Sequence, residues 1–523
     1  MDGRLRAIRV LAVVGVLALV AAACGEAAEE EQPPEEVTII HGTTDPWQSF
    51  DPAASYDLPS WNVIQNVMET LLRIPPGGDT PEPGLAESCD FEDSQTYTCV
   101  LRQGVTFHDG STFEADDVKV SFDRNIGIAD PEGASSLLGS LDSVEVVDDS
   151  TVTFHLKAPD ATWPFILTTA AAAIVPSDAY SATEVQADQA GQVIGTGPYE
   201  VAEFRPGETL VLEAFDAYWG DAPVNARVIV QLFDTSSALK LAVEQGEVDI
   251  AYRNLTATEI DDLRGQEGIE VVQGNGTEIR YLVFNVEKEP FDELAVRRAV
   301  AMTIDRQAVV ENVYNGTVDP LYSMNPVGLA GHIDAFADEY GESPDPEGAA
   351  QVLADAGIET PVNVEMWWTP SHYGDLSADE YTEIKRSLEE SGLFSVSLKS
   401  TEWDAYTEAA FTGQYPSYQL GWFPDYPDAD NYLASFYHSD TFLGNNYSNS
   451  QVDQLIATEK AATDQGERVA AFEEIQRIAA EEVPIIPVWQ GDQIAAVRDG
   501  ITGVENTFDA SFIFRYWLIG KSA

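Results

Sequence analysis

The strongest constraint on this chain is that segments of helical and strand period alternate from Val37 to the C-terminal end with no linker dividing them. Val37 to His41 is a short β-type run. Trp61 to Leu72 then places apolar residues at helical spacing and stops at Pro75-Pro76-Gly77-Gly78. Tyr97 to Phe107 alternates as a strand does, Asp109-Gly110 signals a turn, and Glu114 to Asn125 reads as a helix with Ser111, Thr112 or Asp116 as its cap. Val144 to Leu156 predicts a hairpin turning at Asp148-Asp149-Ser150. A helix capped by Asp234 or Thr235 ends at Gly246 and leads into a buried strand at Glu247 to Ala251. Asp292 and Asp305 predict caps for helices at 294–303 and 306–314. Asp345-Pro346 opens another helix, closed by Gly357, and Val362 to Trp368 is strand-like. Ser377 with Glu380 and Asp464 with Glu467 have the spacing of capping boxes, and Val483 to Trp489 reads as an apolar strand. This alternation belongs to the α/β class. The length exceeds what one hydrophobic core organises, so two or three domains are expected. Without a linker, the chain must cross between them more than once.

The N-terminus is of a different kind. Arg4, Arg6 and Arg9 precede an apolar run from Val10 to Ala23 that stops at Cys24. Charged start, short apolar core and small-residue end together read as a secretory signal over 1–23, too short to span a bilayer comfortably, which takes about 20 apolar residues. A Cys directly after Ala21-Ala22-Ala23 resembles the lipobox of bacterial lipoproteins, with Ala21 where that motif usually has Leu. The resemblance implies a lipid on Cys24 and a body held at the outer face of the cytoplasmic membrane. Residues 24–36 are mainly Ala, Glu and Pro with almost nothing to bury, and read as an acidic flexible tether.

Composition narrows the function. A formal charge of −62 repels nucleic acid and anionic lipid, and removing 1–23 takes away three Arg against one Asp. The acids run along the whole chain, as in a proteome-wide style. After Cys24 only Cys89 and Cys99 remain, and in an exported protein this pair reads as a disulfide closing a hairpin-sized loop. No third thiol or His lies at ligand spacing, so no metal site is expected. The six His residues are scattered, and no G-x-S-x-G elbow, HExxH helix or P-loop occurs. Paired carboxylates near Trp also describe glycosidases, but among 89 acids such pairs arise by chance. No catalytic motif and no cofactor is read from these residues, and a secreted hydrolase is kept as the remote alternative.

Five segments carry a family resemblance. LRQGVTFHDGSTFEADDVKVSFDR begins at Leu101, GTGPYEVAEFRPGETLVLEAFDAYWGDAP at Gly195, FNVEKEPFDELAVRRAVAMTIDRQAVV at Phe284, GWFPDYPDADNYLASFY at Gly421 and EEVPIIPVW at Glu481. In this order they resemble the signature blocks of the family 5 extracellular solute-binding proteins of ABC importers, which include oligopeptide, dipeptide and nickel binders. The resemblance runs from about Val37 to Trp517. It implies an α/β bilobal periplasmic-binding-protein fold of type II, in its large three-subdomain form, with hinged lobes around a central cleft. Lobe I would comprise 37–60, 190–275 and 499–523, with a subdomain inserted at 61–189, and lobe II would comprise 276–498. It also implies a monomer that captures di- to oligopeptides and delivers them to the importer's transmembrane subunits. The alternative is another small solute, such as a sugar or a nickel chelate near His372 or His438.

Asp425 matches the family Asp that pairs with a ligand's α-ammonium, and Trp422 matches the aromatic lining the cleft. Ala429 departs from the Pro common there. The charge role is physically sound, because a carboxylate in a water-poor cleft is costly until a cation pairs with it. Asn285 in the third block is a candidate for the ligand's backbone and Tyr447 for the aromatic wall. Arg297 reads as a helix-surface or salt-bridge residue, and Asp428 and Asp430 as turn and helix-cap residues.

Overall fold

The computed structural model describes residues 37–523 except Ser371, Gly374, Asp375, Thr463 and Ala523. The expected signal segment 1–23, the tether 24–36 and Cys24 lie outside the described residues.

Eleven strands join in one sheet. Its spatial order is Phe394–Ser400, Val362–Trp368, Ser417–Trp422, Ile269–Phe284, Ile485–Arg498, Ile250–Tyr252, Thr38–Thr43, Arg227–Leu232, Thr209–Ala214 and Tyr199–Arg205, with Val318–Pro320 also pairing with Ile485–Arg498. The two long strands at its centre pair antiparallel, Ile269 opposite Arg498 and Val283 opposite Ile485. One end of this pair is flanked by Ile250–Tyr252 and the other by Ser417–Trp422. Both strands thus run through both halves of the molecule, which is why no linker is visible in the sequence. Their ladder shifts register between Gly274 and Glu278. Glycine is required there: a Cβ on Gly276 would overlap the carbonyl of Gly491, and one on Gly274 would press into the Phe508 side chain.

Apolar side chains gather on either side of this crossing, and the fold is a bilobal α/β arrangement. In the first lobe Ile39, Phe50, Trp61, Tyr199, Val228, Tyr252 and Phe514 form one cluster. In the second, Leu282, Phe284, Val300, Val364, Tyr381 and Ile486 form another, beside a set containing Ile279, Tyr281, Tyr432, Phe436 and Phe472. A separate core of Leu85, Tyr97, Phe107, Phe122, Phe154 and Trp163 lies between the helix Ala115–Ile128 and a four-stranded antiparallel sheet. That sheet is made of Ala86–Asp93, Thr96–Leu101, Thr151–Leu156 and Leu141–Asp148. Cys89 and Cys99 sit directly opposite each other in it and are joined by a disulfide.

Local signals are met where nothing tertiary competes. Thr235, Asp305, Asp345 and Asp464 each accept a backbone N–H at the start of their helices, and Gly246 takes the left-handed conformation that ends the first of them. Other positions are corrected. The helix Ala115–Ile128 is capped by Glu114, reciprocated by Asp117, because Ser111 is already engaged with Asp109 in the preceding turn. Asp292 caps nothing, since Glu293 holds the N-cap position of Leu294–Thr303. The helix Leu376–Glu390 starts before Ser377, and Glu380 turns inward to accept from Trp489, Tyr314 and Gln419. A buried carboxylate with three donors outweighs a single cap hydrogen bond. Arg297 is buried and donates to the carbonyls of Phe291 and Glu482.

Candidate interlobe binding site

Strand Ser417–Trp422 ends where the two lobes meet, and a short loop carries the chain into the helix Asp430–Tyr437. One side chain organises this loop. The Asn431 Oδ1 accepts from the Trp422 Nε1 at 2.9 Å and from the Asp425 backbone N–H at 3.0 Å, while its Nδ2 donates to the Asp425 Oδ2 at 2.9 Å. An amide on the first turn of a helix thereby fixes both the aromatic and the acid that precede it. The Trp422 ring lies against Phe436 and Phe442.

The other lobe reaches this acid. The Tyr56 hydroxyl donates to the Asp425 Oδ1 at 2.6 Å, from a loop just ahead of the helix Leu58–Val67. Tyr56 is 43% exposed and its ring lies 5.7 Å from that of Trp61. Beside it, the exposed Phe423 is covered by the Arg253 guanidinium 5.0 Å above its ring and meets the edge of Phe512. Arg253 in turn pairs with Asp45 at 2.7 Å. Tyr426 is buried in the core of the small four-stranded subdomain. The loop Trp422 to Tyr426 is thus a place where the second lobe touches the first.

Burial pushes the Asp425 carboxyl above the usual carboxylate range, and the donors Asn431 and Tyr56 pull it partly back. Both donors are neutral. The site can therefore take a cationic group at low electrostatic cost, since the charge that would balance Asp425 is not built into the protein.

The structure brings Trp422 and Asp425 together and does not bring Asn285 or Tyr447 to them. Asn285 is fully buried, donating to the carbonyls of Gly413 and Gly444 and accepting from the Glu287 N–H and the Asn446 amide. It knits three loops of the second lobe. The Tyr447 hydroxyl donates to Glu482 at 2.7 Å and its ring packs against Tyr437. His372 stacks on Trp403 at 3.6 Å, and burial, with the Arg280 charge, lowers its pKa to about 4. His438 accepts from the Asp440 N–H. Among the described residues no cluster of three or more His, Cys, Asp or Glu side chains could hold a metal ion.

Several residues at the site were not foreseen. Tyr56, Arg253 and Phe512 lie far from Asp425 in sequence and give no local signal. Asn431, six residues after Asp425, sits on the first turn of a helix whose apolar face alone is visible in the sequence.

The chain belongs to the bacterial extracellular solute-binding proteins of family 5, whose middle-region model matches residues 80–443. The dipeptide-binding protein of Escherichia coli (strain K12) is 27% identical over 486 residues, covering 87% of this chain and 89% of that protein. Heme-binding protein A of Haemophilus influenzae is 26% identical over 550 residues, covering 96% and 98%. In fold, the chain is similar to the ABC transporter-associated periplasmic binding protein DppA from Helicobacter pylori in complex with the peptide STSA. The TM-score is 0.76 at 22% identity, over 93% of this chain and 98% of that one. Among the described residues no helix is long and apolar enough to cross a membrane.

Proposed function

We propose that this protein captures short peptides between its lobes, binds their α-ammonium at Asp425 and delivers them to the membrane subunits of an ABC importer. The observation that carries this reading is the state of Asp425: a carboxylate pressed by burial, contacted from both lobes and satisfied only by the neutral donors Tyr56 and Asn431. Ligand contacts made by both lobes would favour their closure, which is how binding becomes a signal to a permease. The naming of relatives after dipeptide binding and the peptide held by a protein of the same fold are in accord with it.

Around this centre the lobe boundaries drawn from the family, 37–60, 190–275 and 499–523 against 276–498 with 61–189 inserted, are part of the same proposal. So are a monomeric body, the absence of catalysis and a diacyl anchor on Cys24, with residues 24–36 keeping the binder beside its importer.

Isothermal titration of the mature body with a free-amine tripeptide and its N-acetylated form tests the central assignment. A charge-assisted hydrogen bond contributes roughly 1.5–3 kcal/mol, so Asp425→Asn should weaken the free-amine peptide by about 10- to 100-fold. The N-acetylated peptide should bind both proteins alike. Equal loss for the two ligands removes the ammonium role.

A further inference from the structure

A cavity opens in the second lobe between the helix Trp403–Phe411 and the strand Val362–Trp368. Its volume is about 370 Å³, within the range of small-molecule sites. None of its lining residues belongs to the loop Trp422 to Tyr426. Side chains alternate along a strand, so Glu365 and Trp367 share one face of the sheet while Val364 and Met366 enter the core on the other. The helix anchors itself through the fully buried Tyr406 and Ala410. Ala405 and Ala409, one turn apart, face the cavity and are too small to fill it.

The walls are of two kinds. The Trp367 and Tyr415 rings stack at 4.2 Å and 16°, a rigid aromatic side. The polar side is Glu365, Thr401 and Gln414. The Glu365 Oε1 accepts from the Trp367 Nε1 at 2.7 Å, so the carboxylate is held beside the ring. Among the described residues no Lys or Arg pairs with Glu365, and its Oε2 accepts no hydrogen bond. Gln414 gives an amide N–H to Thr412 at 3.0 Å and keeps its carbonyl oxygen. The lining is thus rich in acceptors and carries a negative charge. Exposed Glu402, Asp404 and Glu408 stand on or beside the same helix without ion pairs among the described residues. A base, Lys399, lies opposite Trp367 on the next strand, outside the lining.

We propose that this cavity binds a small organic cation, a primary alkylammonium or alkylguanidinium, through the Glu365 carboxylate and the Trp367–Tyr415 stack. It is a second site, apart from the capture of peptides between the lobes. A cation is attracted by the ring quadrupole, of Trp above all, and a charge-assisted hydrogen bond to Glu365 gives it direction. The alkyl body meets Ala405, Ala409 and the rings. An anion is repelled by Glu365, and a neutral alcohol lacks the charge that both the carboxylate and the ring reward. The acidity of the whole chain raises the local concentration of cations at such a site.

The test uses the mature protein carrying Asp425→Asn, so that the interlobe acid takes no part, with three probes of one alkyl length: butylammonium, butylguanidinium and butanol. Binding is read by titration calorimetry and from the Trp367 indole N–H resonance, assigned by its loss in Trp367→Phe. Both cations should shift that resonance saturably and bind about tenfold or more tighter than butanol. Glu365→Gln, whose carbonyl can still accept from Trp367, should bring the cations to within about twofold of butanol. Ala409→Leu, which fills the cavity and leaves Glu365 in place, should weaken all three probes. If the filled variant does not fold, Glu365→Gln decides alone. Butanol bound as tightly as the cations, cation affinity unchanged in Glu365→Gln, or saturable binding that leaves the Trp367 resonance in place overturns the site. So does the absence of saturable binding by any probe. None of these results touches the reading of Asp425, which the free-amine and N-acetylated peptides test separately.

Discussion

Asp425 and Asp428 stand three residues apart in one loop, and the protein treats them in opposite ways. Asp428 is locked: Arg468 donates to both its oxygens at 2.7 and 2.8 Å, and all the groups are almost fully buried. The same guanidinium reaches Glu459 at 3.1 Å, tying the helices Ser450–Ala461 and Gln465–Glu482 to the loop. Asp425 has only an amide and a phenol. A buried carboxylate with its own cation is architecture, because nothing further can bind it without first breaking the pair. A carboxylate given only neutral donors keeps its electrostatic demand open, and is the one of the two that can answer to a ligand.

Breaking the locked pair should produce the largest effect. Arg468→Ala leaves Asp428 buried with its counter-ion gone, a situation that costs about 3–5 kcal/mol. Urea unfolding should show that loss with peptide absent. Asp425→Asn should leave the urea midpoint near or above that of wild type, since it removes a carboxylate that burial disfavours. If the two variants were equally unstable, Asp425 would be as structural as Asp428 and the contrast would dissolve.

A smaller effect separates the acid from its partner in the other lobe. The Asp425 pKa is raised above its ordinary 3.8, so the group ionises later than a free carboxyl as pH rises. Ammonium capture needs the ionised form, and affinity for free-amine peptides should decline as pH falls through that raised value. The hydroxyl of Tyr56 is one of the donors that hold the pKa down. In Tyr56→Phe the decline should therefore begin at a higher pH, with affinity at neutral pH changed only a few-fold. Titrations across acid pH with the free-amine and N-acetylated peptides check this, and the acetylated one should show no such shift.

How far this contrast can be read from sequence depends on what carries it. The strand Val362–Trp368, the hairpin at Asp148-Asp149-Ser150 and the caps Thr235, Asp305, Asp345 and Asp464 are decided by neighbours a few residues away, and they are legible. Trp422 and Asp425 are legible through the block that contains them. Which of the acids in that block owns a cation is not legible, because Arg468 comes from a distant helix and Tyr56 lies 369 residues from Asp425. Motif neighbourhood suggested Asn285 and aromatic character suggested Tyr447, but local loop carbonyls and Glu482 claim both side chains. Glu380 has the spacing of a cap and is drawn inward by Trp489, Tyr314 and Gln419, none of which is near it in sequence.

The locked side of the comparison contains one group whose charge is itself absent, and this gives the smallest and sharpest effect. Glu459 and Asp430 share a hydrogen bond between carboxyls, and burial together with the Asp430 charge raises the Glu459 pKa far above its ordinary 4.5. Asp430, paired with Lys460, is shifted downward, so the shared proton belongs to Glu459. A carboxyl with a raised folded-state pKa contributes stability that is complete below its ordinary pKa and is lost progressively as pH rises from there to the folded-state value. Glutamine copies the protonated form, donating to Asp430 through its amide and accepting from Arg468 through its carbonyl. Glu459→Gln should therefore lie within about 1 kcal/mol of wild type at and below the ordinary 4.5, the worth of one ordinary hydrogen bond. It should become the more stable of the two as pH rises through neutral and on into the alkaline range. Urea midpoints followed from pH 4.5 to alkaline pH decide it: a variant that never becomes the more stable of the two would mean that Glu459 is ionised and held by Arg468, which reaches both it and Asp428.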